Sequence, residues 1–172
     1  MRALFVFCMV IVLAACVNEP TQTEQNIKGK RTKAEMLQEI VRVANLKTVY
    51  PEFPQAGYTY LLYYKGMGFQ VVYFDEKNNS LLWFPNLPVI VVTSWKVEGN
   101  NMCFYRGEWA HPSKAGAANE KLSCKSHFLM KKEAVSRLAG NPFKLSPGRA
   151  APYNLKKCTP PPEFKLMRQA TC

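Results

Sequence analysis

Metal-binding spacing is missing from this chain. Its six cysteines include no C-x-x-C pair, and His111 and His127 are the only histidines. Structural zinc sites are built from close Cys or His pairs, so no metal and no cofactor is expected. No Gly-x-Ser-x-Gly elbow occurs, which removes the signature of an α/β-hydrolase nucleophile. No phosphate-cradling glycine loop occurs either, since Gly66-Met67-Gly68 is too short and falls between two strand candidates. Acids are few, 12 Asp and Glu against 23 Lys and Arg. Glycoside cleavage needs two carboxylates on facing elements. Asp75 and Glu76 share one turn, and Glu108 has no partner in the sequence. The longest charge-free apolar run near the start, Ala3 to Ala15, is shorter than the ~20 residues of a permanent membrane span.

That run has instead the size of a signal-peptide core, preceded by Arg2 as a short positive region. Ordinary signal peptidase favours small residues at −1 and −3, and a cut after Ala15 would place Leu13 at −3. Leu13-Ala14-Ala15-Cys16 resembles the bacterial lipobox. The resemblance implies removal of residues 1–15 and acylation of the Cys16 thiol, with palmitate among the expected chains. Several chains on one residue hold a protein stably to a membrane, where a single chain does so only marginally. Val17 follows, rather than the Asp that would suggest retention at the inner membrane. The expected location is therefore the cell envelope, membrane-anchored, facing the periplasm, at the outer membrane. Residues 16–31 are polar and read as a flexible tether. Within it and just beyond, Lys28, Lys30, Arg31 and Lys33 form a basic cluster.

Export also governs the remaining cysteines. Without Cys8 of the leader and the lipidated Cys16, Cys103, Cys124, Cys158 and Cys172 remain. Four cysteines in an oxidising compartment read as two disulfides with three possible pairings. Cys103 and Cys124 fall on consecutive strand candidates, which favours Cys103–Cys124 and leaves Cys158 with Cys172. The charge is uneven. Residues 104–172 hold 13 basic residues against 4 acidic, whereas residues 17–103 are nearly balanced at 9 against 8. Such asymmetry suggests an anionic partner, an envelope polymer or lipid headgroups, or simply solubility. Export argues against nucleic acid.

Residues 32–172 read as one β-rich domain with a C-terminal extension from about 141. Thr32-Lys33-Ala34-Glu35 is a capping-box pattern, and Met36, Leu37, Ile40, Val41 and Ala44 recur at helical spacing. This predicts an amphipathic helix over about 33–46, packed on a sheet. Residues 58–130 predict an antiparallel β-meander. Its strands are Tyr58–Tyr64, Phe69–Phe74, Ser80–Phe84, Val89–Val97, Met102–Arg106 and Leu122–Met130, separated by Gly- and Asn-rich turns. Gly107 to Glu120 is a longer polar loop. A short helix is expected over Lys131–Ala139, stopped by Gly140 and Pro142. The Pro-rich tail should be extended and irregular, held by Cys158. The class is α+β, mostly β.

From Ser94 the chain reads SWKVEGNNMCFYRG, and later LAGNPFKLSPGRAAPYNL. Trp95, Gly99-Asn100, Cys103-Phe104, Cys124, Gly140–Leu145 and Pro152–Leu155 resemble the pattern of a family of small exported bacterial proteins of unassigned function. The resemblance covers roughly residues 58–155, with Ser94 where the family carries a second glycine. It implies a lipocalin-like or small-barrel domain and no particular substrate.

His127 lies in a strand candidate near Ser123, Cys124 and Ser126, but no orienting acid accompanies it. The aromatics from Tyr58 to Trp109 fit core packing and cross-strand pairs before they fit a stacking surface for sugars. No catalytic residue is assigned, and whether the chain is an enzyme stays open, with the residues weighing against it. The expected function is a binding or structural module of the envelope. Alternatives are a lipocalin-like ligand carrier or inhibitor, and an envelope enzyme. An apolar interior pocket would favour the carrier.

Overall fold

The computed structural model describes residues 32–106 and 120–172. The leader 1–15, Cys16, the tether 16–31, and Glu108, Trp109 and His111 of the long loop lie outside them. The chain divides into two compact units, Met1–Met36 and Leu37–Cys172. Residues 32–36 of the first carry the expected capping box. The Glu35 N–H donates to the Thr32 hydroxyl (3.2 Å), and the Thr32 N–H donates to Glu35 Oε2 (2.7 Å). They open helix α1, Lys33–Ala44.

The rest of α1 departs from expectation. Leu37, Ile40 and Val41 are each about half exposed, and only Val43 is buried. Arg42 pairs bidentately with Glu39 of the same helix and approaches Glu133 at 3.9 Å. The apolar stripe of this helix is therefore not what packs on the sheet.

The sheet has seven antiparallel strands. They are β1 (Tyr58–Tyr64), β2 (Gly68–Phe74), β3 (Asn79–Trp83), β4 (Val91–Glu98), β5 (Asn101–Arg106), β6 (Lys121–Ser126) and β7 (Ala134–Ala139). Their order is β6-β5-β4-β3-β2-β1-β7, so the first six form the expected meander and the seventh returns to the free side of β1. Turn chemistry sets the register. Asp75 Oδ1 accepts from the Lys77 and Asn79 N–H groups at 2.9 and 2.7 Å, and Asn78 takes a positive φ of 62°. Asx geometry of this kind makes a tight β2–β3 link.

Two expectations are corrected after β6. The predicted strand Leu122–Met130 stops at Ser126, and helix α2 (His127–Glu133) follows. Ser126 caps it, its hydroxyl accepting from the Leu129 N–H at 3.4 Å. The predicted helix Lys131–Ala139 ends at Glu133, and Ala134–Ala139 is β7. Helix propensity there is overridden by a free partner, since Thr59, Tyr60 and Leu61 of β1 align with Leu138, Arg137 and Ser136. A β-strand edge offers unpaired donors and acceptors, and a segment able to pair with it satisfies both at once.

The sheet stays open, so no closed barrel forms, but it must curl. Seven flat strands would separate the two edges by ~29 Å at ~4.8 Å per strand. Helix α2 joins those edges with seven residues, which at ~1.5 Å each span ~10 Å. The Lys125 ammonium on β6 lies 4.9 Å above the ring of Tyr64 on β1, across the mouth of the curve.

Both faces are buried. Thr59 to Tyr63 of β1 are buried without alternation. The outer face presents Leu61, Phe69, Val71 and Trp83, and the tail covers it with Leu145, Leu155 and Phe164. The tail is irregular, as expected, yet it carries core anchors that its lack of periodicity conceals. Its backbone is tied down as well. Lys157 O accepts from the Phe69 N–H (3.0 Å), and Val135 O accepts from the Met167 N–H (2.9 Å). The inner face packs Tyr60, Leu62, Val72, Phe74, Met102 and Phe104 against Phe53 and Met130 of α2. Two disulfides close the unit. Cys103 and Cys124 are register partners on β5 and β6, and Cys158 joins Cys172 with Cα atoms 5.5 Å apart.

Candidate functional site

The inner face does not fill its own curve. A cavity of about 190 Å³ lies between the sheet and α2, floored by Leu62, Val72, Phe74, Leu82, Phe104 and Met130. Apolar cavities of ~150 Å³ already hold a benzene-sized molecule and stay free of water. Its polar lining is sparse: Tyr64 from β1, Gln70 from β2, Thr93 from β4, and Ser123 and Lys125 from β6. An apolar pocket with a few placed polar groups is the usual form of a small-molecule site.

Two of those groups have no polar protein partner. Among the described residues the Tyr64 hydroxyl makes no hydrogen bond and the Lys125 ammonium no ion pair. Partial desolvation lowers the Lys125 pKa, although the side chain as a whole stays exposed, and burial raises that of Tyr64. For both groups it disfavours the charged form.

Glu133 ends α2 close by. It is 5 % exposed, and desolvation pushes its carboxyl up to about 7 against the opposing pull of Arg42 and Arg168. Its Oε2 has no hydrogen-bond partner. Arg168 brings the tail to this point, with Nη2 donating to Lys132 O at 3.0 Å. Glu133 therefore sits where α1, α2 and the tail meet, as a buried acid whose ion pair to Arg42 is a long one.

Other groups have structural roles. His127 is the first residue of α2 and not part of a strand. Its Nε2 contacts the Phe53 carbonyl, and its ring stacks on Phe53. Glu98, Cys103 and Cys124 lie close enough to suggest a metal cluster. Both sulfurs are already joined in a disulfide, so no thiolate is available as a ligand. The Glu98 carboxyl is held below the usual range by the Tyr105 hydroxyl and the Lys121 ammonium, which bonds it at 2.9 Å. Arg137 lies over Tyr50 and Tyr58, 4.9 and 4.5 Å from their centroids, and donates to Gln55 Oε1.

Of the residues singled out from sequence, the four cysteines fall into the two expected pairs, and Cys16 lies outside the described residues. Lys125, Tyr64 and Glu133 were not singled out individually. Nothing in the local sequence marks them, because their juxtaposition is made by the curl of the sheet and not by spacing along the chain. Among the described residues no helix is long and apolar enough to cross a membrane. No family model, no curated protein and no solved structure matches this chain.

Proposed function

We propose that this chain is a lipid-anchored module of the bacterial cell envelope that binds a small, largely apolar ligand between the inner face of its sheet and α2. The observation that carries this reading is the cavity of about 190 Å³, lined mostly by apolar side chains with a few polar ones among them. A purely structural module would be expected to pack that space, because interiors are ordinarily close-packed and voids are destabilising. The anchor rests on the lipobox-like Leu13–Cys16 segment behind a short apolar leader. The paired cysteines agree with an oxidising compartment.

A solvatochromic apolar fluorophore titrated into the purified chain tests the pocket. Saturable one-to-one enhancement is expected, and it should be abolished by Leu82→Trp, which fills the floor from a half-buried position. Enhancement that survives Leu82→Trp in a variant still cooperatively folded would place the dye elsewhere and refute the pocket reading. In cells, Cys16→Ser should abolish incorporation of labelled fatty acid and release the protein from the membrane fraction.

A further inference from the structure

We infer that the ligand of this pocket is a single-chain amphiphile with a carboxylate head, its chain on the apolar floor and its head at Lys125 and Tyr64; this rests on the small-ligand reading above. Lys125 comes from β6 and Tyr64 from β1, near opposite margins of the curled sheet, and both line the cavity. The ammonium sits 4.9 Å above the phenol ring. A cation so placed gains a cation–π attraction while its side chain stays exposed overall, and it has no counter-charge in contact among the described residues. Among the described residues no carboxylate makes an ion pair with it. The acid that acts on it electrostatically, Glu133, is the one approached by Arg42 at 3.9 Å and carrying a raised pKa. Among the described residues the Tyr64 hydroxyl is a second donor with no acceptor.

One ammonium and one hydroxyl, neither bonded to an acid among the described residues, line the same largely apolar hole, and Glu133 acts on both only at a distance. An ionised carboxylate complements both, since it accepts only and carries one negative charge. A cationic head would meet an uncompensated like charge. A neutral head would take the hydroxyl bond and leave the ammonium as it was. The volume favours one chain, because about 190 Å³ lies below the ~300–1,000 Å³ of ordinary drug-sized pockets.

The test compares octanoate, octanol and octylammonium on the full chain with both disulfides intact, by calorimetry and by displacement of the fluorophore. Octanoate should bind about ten-fold tighter than octanol, the size of effect that a charge-assisted contact supplies, and octylammonium should bind weakest. Lys125→Met should remove the advantage of octanoate over octanol, and Lys125→Arg should keep most of it. Tyr64→Phe should cost octanoate a smaller factor. Equal affinities for octanoate and octanol, or octanoate binding unaltered by Lys125→Met, would overturn the carboxylate inference and leave the apolar pocket standing. Failure of all three probes to bind or displace the dye would overturn the pocket reading, and this inference with it. Lys125 lies on an exposed edge strand, so its variants should keep the unfolding temperature of the parent, and that temperature is the folding control.

Discussion

Truncating Leu155 to Ala should destabilise the domain far more than its place in a proline-rich tail suggests. The side chain is 1 % exposed and joins Trp83, Leu145 and Phe164 on the outer face. Core Leu→Ala changes cost about 2–5 kcal/mol, depending on how far the surroundings collapse into the space. Collapse is restricted here. Cys158, three residues on, is bonded to Cys172, and Lys157 O is held by the Phe69 N–H at 3.0 Å. A loss of about 3 kcal/mol is therefore expected. At roughly 3–4 °C per kcal/mol for a domain of this size, Tm should fall by about 10 °C. Leu87→Ala provides the contrast, because Leu87 is 43 % exposed and its truncation should stay within about 0.5 kcal/mol. Scanning calorimetry and urea titration of the oxidised protein measure both. A Leu155→Ala loss below about 1 kcal/mol would mean that the tail lies on the sheet without stabilising it.

The second disulfide acts on the same segment, and Cys158→Ser with Cys172→Ser should cost about 3 kcal/mol by loop-closure entropy, read as a urea midpoint shift. Peptide mapping without reductant should yield only 103–124 and 158–172 linked peptides, and any 124–158 link would contradict the architecture. Gly68→Ala should dislodge the tail, since Gly68 has φ +85° and a Cβ there would sit 2.1 Å from Lys157 O. Strain plus the clash should cost at least ~2 kcal/mol, with protease sensitivity appearing first in the tail. Glu133 gives a pH signature of definite sign. Its carboxyl rises from 4.5 to about 7 on folding, so between those values the native state binds more protons than the unfolded one. Stability must then fall as pH rises through that window and level off above it. Glu133→Gln should flatten the difference, and wild-type stability that rises relative to Glu133→Gln between pH 4.5 and 7 would refute the assignment.

What was legible in the sequence had local chemistry to announce it. β1 and β2 could be read because Tyr58–Tyr64 and Phe69–Phe74 are aromatic and β-branched runs with glycines between them. The capping box at Thr32 fixed the start of α1, whose burial depended on tertiary partners and could not be read from its period. β7 was illegible for a related reason. Ala134-Val135-Ser136-Arg137-Leu138-Ala139 has a mixed pattern, and its pairing is decided by an edge of β1 that only exists once the meander has formed. The tail concealed its anchors because Leu145, Leu155 and Phe164 follow neither a helical nor a strand period. Irregular chain places side chains by its hydrogen bonds, as when Asn141 Oδ1 accepts from the Leu145 N–H and its amide donates back to Leu145 O, at 2.8 and 2.7 Å.

The basic C-terminal half reads differently once those irregular segments are seen. Chain outside a ladder leaves carbonyl oxygens that need donors, and Lys and Arg donate without accepting. Lys131 donates to Pro51 O at 3.2 Å, Lys132 to Leu46 O at 2.6 Å, and Arg168 to Lys132 O at 3.0 Å. Each of these cations bonds a carbonyl outside the sheet, where an acid would supply no donor. Part of the imbalance of 13 basic to 4 acidic residues is therefore architectural and calls for no anionic partner. Lys125 is separate from this group. Among the described residues it reaches neither a carbonyl nor a carboxylate, and it lines a cavity that the aromatic inner face leaves unfilled. A side chain with ~2 kcal/mol of rotamer entropy is not ordered over a ring in an apolar mouth by backbone demand. The proposed carboxylate ligand would complement this placement by supplying a negative charge.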